Sequence, residues 1–308
     1  MFPIPRSIEG EDDYWRIRSF LREVFVLNGR QELSWHVARL DYWRWHFIEN
    51  CQICPPFEQV TTLWETARGQ IAAVLHPMGF GEAWLHLHPG YRTRELEAEM
   101  ITLAEERLSR TLEDGGRRLA ILADRNDTLR QRILQERGYA RRDRPVHRWW
   151  RDLDAPLPGP SVAPGYTIRA MGDRDEYPAR SWASWRAFHP DEPDDEYEGW
   201  AWYGNIQSAP LYRRDLDIVA ATAGGEIAAF GTIWFDDVTR SGVCVLVGTV
   251  PEHQRRGLAR AVVTEGLRRL WSMGATRAFA NGHDPPADAL YGSVLGTKAV
   301  SEVWIREF

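Results

Sequence analysis

The chain has 308 residues, 44% apolar and 27% charged, with a formal net charge of −6 and three cysteines. That length exceeds one typical domain and suits two, each with its own core, while the acidic balance speaks against a general nucleic-acid partner. No stretch stays apolar for the depth of a bilayer, no secretory pattern opens the chain, and an odd cysteine count fits a reducing compartment, so a cytoplasmic protein without a membrane partner is expected.

In chain order, Asp12–Leu27 and Gln31–Ile48 space their apolar residues as helices, with Asn28-Gly29 as the break between them. Thr61–Thr66 and Gln70–Leu75 read as two short strands about Arg68-Gly69, and Glu82–His88 alternates as a strand up to Pro89. Arg94–Thr111 has the spacing of a long helix, Arg118–Leu122 is a strand, Thr128–Arg137 a helix stopped by Gly138, and Val146–Trp150 a strand. Trp35, Tyr42, Trp43, Trp45 and His46 form an aromatic cluster in this half. Cys51-Gln52-Ile53-Cys54 has metal-like spacing but no second pair follows, so no metal is expected.

Asp154–Gly165 holds four prolines and two glycines in twelve residues. Such a stretch makes neither helix nor central strand, so it reads as a semi-rigid linker between a domain at 1–153 and another at 166–308.

The second half repeats the order of the first. Tyr166–Ala170 is a strand, Asp175–Phe188 and Glu196–Ile206 are helices, and Asp217–Thr222 and Glu226–Phe235 are strands about Gly224-Gly225. Val243–Val250 is almost unbroken in apolar and β-branched residues, as a buried strand is, and Gly248 marks a bulge or a close backbone approach within it. Pro251 ends that strand, and Ala259, Val263, Leu267 and Leu270 then recur at helical spacing. A strand, Arg277–Ala280, a helix, Ala287–Val294, and a strand, Glu302–Phe308, complete the half.

The joint between strand and helix carries specific chemistry. A helix start presents backbone N–H groups and a partial positive charge, both suited to phosphate. Gly257 lets an anion approach the backbone, and Arg255, Arg256 and Arg260 add cationic reach. The plainer alternative is an ordinary turn with exposed arginines. Placing Pro89 on Pro251 sets Glu95 on Gly257 and Glu97 on Ala259, so the first half puts two carboxylates where the second leaves room for phosphate.

Gln254-Arg255-Arg256-Gly257-Leu258-Ala259, between a buried strand and a helix, resembles the Q/R-x-x-G-x-G/A motif of the GNAT acyltransferase superfamily. The resemblance implies an α/β (α+β) chain of two tandem GNAT domains, the first a degenerate copy. Each would be a mixed, mostly antiparallel twisted sheet flanked by helices, with a splayed central strand pair. It implies acetyl-CoA as co-substrate, its pyrophosphate on the amides of Arg255–Arg260 and its pantetheine arm along Val247, Gly248, Thr249 and Val250. Asn281 through Tyr291 resembles the family's N-x-x-A-x-x-L-Y segment with a longer insertion before Ala287. In that family the tyrosine protonates the leaving thiolate, a role for which a phenol of pKa ~10 suits a thiol of pKa ~8.5.

Glu252, His253 and a water relay stand level as the base that takes the amine's proton. Trp182, Trp185, Phe188, Tyr197, Trp200, Trp202 and Tyr203, mixed with Asp191, Glu192, Asp194, Asp195, Glu196 and Glu198, suit a cationic acceptor or, equally, a core beside a solvated acidic loop. The implied activity is acetyl transfer to the primary amine of a small molecule or peptide, by a monomer or homodimer. A non-enzymatic acyl-CoA sensor and an interaction module with two vestigial copies are the alternatives.

Overall fold

The computed structural model describes residues 2–308, which form two compact units. One takes the chain up to Arg148 together with Ala299–Phe308; the other is Trp149–Lys298.

The first unit's sheet runs in the order Ile4–Ser7, Thr62–Glu65, Ile71–Pro77, Glu82–Leu87, Arg117–Asp124, Thr297–Glu307. All neighbours are antiparallel except Glu82–Leu87 with Arg117–Asp124. Alternation along the strands sends side chains to two separate cores. Leu63 and Val74 join Tyr14, Ile17, Leu21 and Trp43 from the helical segments Gly10–Leu27 and Trp43–Ile48, the second of these a π-helix. Trp64, Ala73 and Leu75 instead meet Leu96, Met100, Ile133 and Leu134 from helices Arg94–Arg107 and Thr128–Glu136.

The second unit's sheet runs Tyr166–Ala170, Asp217–Thr222, Ile227–Asp236, Ser241–Thr249, Arg277–Gly282, with only the last pair parallel. Helix Leu258–Ser272 buries Leu258, Val262, Leu267 and Leu270 against Ile218, Ala229, Ile233 and Cys244. Helix Tyr177–Phe188 takes the other face, where Arg180 stacks 3.8 Å from the centre of Phe230. Beside Arg277–Gly282 lies the stretch after Trp149, with Arg277 on Asp152 and the Leu153 N–H on Thr276 O at 2.9 Å.

Two expectations need correction, and one unforeseen strand is added. Cutting at the proline-rich stretch leaves the last strand with the second half, yet Ala299–Phe308 belongs to the first unit. There Ser301–Glu307 pairs with Arg118–Asp124 and covers an edge that would otherwise expose the ladder groups of buried Leu119 and Ile121. The helix at Glu196–Ile206 is absent: a 3₁₀ turn at Asp194–Glu196 and a short helix at Tyr203–Gln207 replace it, interrupted by Gly199 at φ +94°. Strand Ile4–Ser7, too short and too proline-flanked to announce itself, pairs with Thr62–Glu65.

Candidate functional site

The site in the second unit begins where pairing stops. Strand Ser241–Thr249 lies against Ile227–Asp236, but the register slips between Gly231 and Thr232, which face Val247 and Val245. Leu246 is the extra residue, at φ +61°. Such a bulge bends its strand. On the other side, the parallel ladder joins Ser241 to Arg277, Gly242 to Ala278 and Val243 to Phe279, and ends there. Burial changes at the same place: Ser241–Cys244 are buried and Val245–Thr249 half-buried. Two strands that start together therefore diverge, leaving a cleft with Val247, Gly248 and Thr249 on one wall and half-buried Asn281 on the other.

Of the two roles open to Gly248, the structure selects close approach. The bulge is at Leu246, while Gly248 faces Phe230, and a Cβ on it would stand 2.5 Å from Phe230 Cζ and 3.0 Å from Ala187 Cβ.

The strand leads into the loop through Val250, which is buried and whose N–H donates to Ala228 O at 3.0 Å. Pro251–His253 makes one 3₁₀ turn, and Gln254 Nε2 donates back to Thr249 O at 3.3 Å. Arg255 at φ +63° and Gly257 at φ +74° are both left-handed, and Gly257 is the N-cap of helix Leu258–Ser272. Ala261 N is the first to bond within the helix, to Gly257 O at 3.0 Å. That leaves the amides of Leu258, Ala259 and Arg260 without an intrahelical acceptor. Gly257 offers no side-chain cap, no acid stands in the first turn, and a Cβ on Gly257 would meet nothing within 4 Å. Leu258 is buried and anchors the turn, while Arg255, Arg256 and Arg260 are exposed around it. This is an open, electropositive cradle at the mouth of the cleft.

The other candidates have these places. Glu252 is exposed and faces Arg186 at 3.4 Å. His253 is held on both ring nitrogens, Nδ1 2.9 Å from Tyr166 Oη and Nε2 3.1 Å from Glu226 Oε1. Neither partner is visible in sequence, since they lie 87 and 27 positions away. Tyr291 sits on helix Pro285–Val294, which starts two residues earlier than its apolar pattern because Asp284 caps it by accepting from Ala287 N at 2.8 Å. It is 7% exposed and shares a core cluster with Leu258 and Val262, against which Val247 packs. Trp182 and Trp185 stack at 5.4 Å, with Tyr197 against both and its hydroxyl on Ser181 Oγ at 2.7 Å. The carboxylates from Asp191 to Glu198 are exposed beside them, and Asp194 reaches Arg186 at 3.5 Å. Tyr203 is instead a core residue: its hydroxyl bonds buried Asp217, and burial pushes its pKa well above the usual phenol value.

In the first unit the same stretch differs. Glu82–Leu87 pairs with Arg117–Asp124 only at Glu82–Ala120 and Ala83–Ile121, so these strands diverge too, but Glu82–Leu87 meets its other neighbour without a register slip. The following helix is capped by Thr93, whose hydroxyl accepts from Leu96 N at 3.2 Å. Counted from the caps, Glu95 matches Ala259 and Glu97 matches Ala261, two positions on from the register that the prolines suggested. The loop after Pro251 is two residues longer than the one after Pro89, which is what displaced the count. Glu95 is exposed; Glu97 is fully buried and bonds Arg92 and Arg130.

Comparison with known proteins agrees with this geometry. Residues 177–296 match the model of the acetyltransferase (GNAT) family. No curated protein matches the chain in sequence. Among solved structures, a GCN5-related N-acetyltransferase from Sphaerobacter thermophilus is similar over 100% of this chain and 97% of its own, at 17% identity and a TM-score of 0.65. A tandem GNAT protein from the clavulanic acid biosynthesis pathway is similar over 99% of this chain and 97% of its own, at 16% identity and a TM-score of 0.65. A GNAT-family acetyltransferase from Colwellia psychrerythraea is similar over 99% of both chains, at 13% identity and a TM-score of 0.61. At such identities the likeness is one of fold. Among the described residues no helix is long and apolar enough to cross a membrane, and no three His, Cys, Asp or Glu side chains converge as a metal site would need.

Proposed function

The chain carries two GNAT folds in tandem, the second an acyltransferase domain of the acetyltransferase (GNAT) family, and from that premise we propose that it moves acetyl from acetyl-CoA to the primary amine of a small molecule or peptide. The observation that carries the reading is the divergence of Ser241–Thr249 from Arg277–Gly282 beyond Val243, opening onto the acid-free helix start at Gly257. In this reading the edge Val247–Val250 aligns the carrier arm, and the amides of Leu258, Ala259 and Arg260 hold its diphosphate with Arg255, Arg256 and Arg260 around it. A backbone N–H of the bulged edge steadies the oxyanion as the amine adds to the carbonyl. The Tyr291 phenol then returns a proton to the departing sulfur. With both nitrogens of His253 engaged, the amine's proton passes to water or to Glu252. The stacked Trp182 and Trp185 beside the acidic loop suit a cationic acceptor, by face attraction and by charge. We place the protein in the cytoplasm.

The test is calorimetry with CoA on the unaltered chain and on Gly257→Glu, followed by an acceptor panel with acetyl-CoA. Open space over Gly257 leaves room for the new side chain, while the left-handed φ of +74° strains it by about 1–2 kcal/mol, so the variant should fold with a lowered melting temperature and lose CoA binding. Unchanged affinity in that variant would remove the cradle from the reading. Binding with no acetylated product from any amine would favour the sensing alternative.

A further inference from the structure

The first unit keeps the diverging strands yet fills the space between them. Beyond Ala83 and Ile121 the two strands separate, and the Arg130 side chain enters: Nη2 donates to Leu85 O and Nη1 to Leu122 O, each at 3.3 Å. Arg130 Nε bonds Glu97 Oε1 at 2.5 Å, and Glu97 Oε2 accepts from Arg92 Nε at 2.8 Å. Arg92 Nη2 in turn donates to both oxygens of Asp127 at 2.7 Å, and Asp127 caps the helix that carries Arg130. One guanidinium thus bridges a carbonyl from each strand, and a buried carboxylate on the neighbouring helix neutralises it. Outside this closed floor the cleft persists as a cavity of about 510 Å³, whose wall includes Leu87, Arg92, Asp127 and Arg130.

The second unit answers at the same two places with alanine. Arg130 is the third residue after the cap Asp127, and the third after the cap Asp284 is Ala287. Glu97 is the fourth after Thr93, and the fourth after Gly257 is Ala261. Large, charged and mutually bonded in one unit, the pair is small in the other.

We propose that Arg130, held by Glu97, is the residue that denies the first unit an acyl carrier, because it occupies from within the strand-edge groups that a carrier's amide-bearing arm needs. The inference rests on the proposed function of the second unit, whose cleft is open for want of such a pair. It assigns selectivity between the two clefts to side chains filling the floor, separately from the phosphate cradle at the mouth.

Native mass spectrometry and calorimetry on the full chain test it, with CoA and the nucleotide-free acetyl-pantetheine as probes. The unaltered protein should take one CoA. Ala287→Arg, at a half-buried position, should weaken binding of both probes by at least a hundredfold with the melting curve intact. Arg130→Ala with Glu97→Ala should bind a second acetyl-pantetheine per chain. Two CoA on the unaltered protein, or Ala287→Arg binding as before, would overturn the plug while leaving the acyltransferase reading in place. No CoA on the unaltered protein would instead remove that reading. Should the double variant fail to fold, Ala287→Arg decides alone, since it lies in the other unit.

Discussion

Gly248 and Tyr291 make opposite demands on their neighbours. A methyl at Gly248 would press on the Phe230 ring tip and on Ala187, neither of which can turn aside, so Gly248→Ala is expected to cost about 1–3 kcal/mol as an overpacked core does. A lowered melting temperature checks it; an unchanged one would show that the helix Tyr177–Phe188 gives way. Tyr291→Phe removes one oxygen from a side chain that otherwise packs with Leu258 and Val262. If the phenol acts on the leaving sulfur, turnover falls by about a hundredfold while CoA affinity holds, because the proton moves only in the transition state. Undiminished turnover would return Tyr291 to the core.

At the level of elements, adjacent strands of the first unit hide a pair of histidines. His76 Nδ1–H donates to Pro77 O and His86 Nε2–H to His76 Nε2, each at 2.8 Å, while His86 Nδ1 accepts the Trp35 N–H at 3.4 Å. Every nitrogen is satisfied only if both rings are neutral. Burial pushes His76 down to about 4 and His86 well below its usual value. The unfolded chain therefore binds more protons than the folded one between pH 6.5 and 4. Stability present above pH 6.5 is lost as the pH falls, with His76 alone accounting for about 2 kcal/mol by pH 5. Melting curves from pH 7.5 to 5 should slope more steeply in the unaltered protein than in His76→Phe. Equal slopes would show that the pair opens without cost.

These elements also show what a sequence can and cannot disclose. The buried strand before Pro251, the basic glycine-bearing turn and the helix after it were legible because apolar spacing and a glycine at the joint are local signals. The bulge was not: nothing about Leu246 asks for φ +61°, and Gly248, which does attract notice, sits in regular pairing. The partners of His253 come from distant strands and loops. Glu97 shares a helix face with Met100, Ile101 and Ala104, and what the sequence hides is the charge that meets it there, since Arg130 lies 33 positions away.

For the whole molecule, the linker is the most visible boundary in the sequence and a poor place to divide the fold. Removing Ala299–Phe308 should unfold the first unit, since Ser301–Glu307 covers one side of Arg118–Asp124 and Arg306 bonds Glu105 at 3.0 Å. Hydrogen exchange should report the loss in Leu119–Ala123, with Asp217–Thr222 still protected. Protection retained in both would mean that the strand is dispensable.

That terminal strand also sets an order of events during synthesis. The first unit's other strands emerge early, but the one that completes their sheet leaves the ribosome about 150 residues after Arg148, roughly 10–30 s later at usual elongation rates. Through that interval Arg117–Asp124 has an open edge, and the second unit has time to assemble before the first is finished. The part of the chain made first is the last to mature.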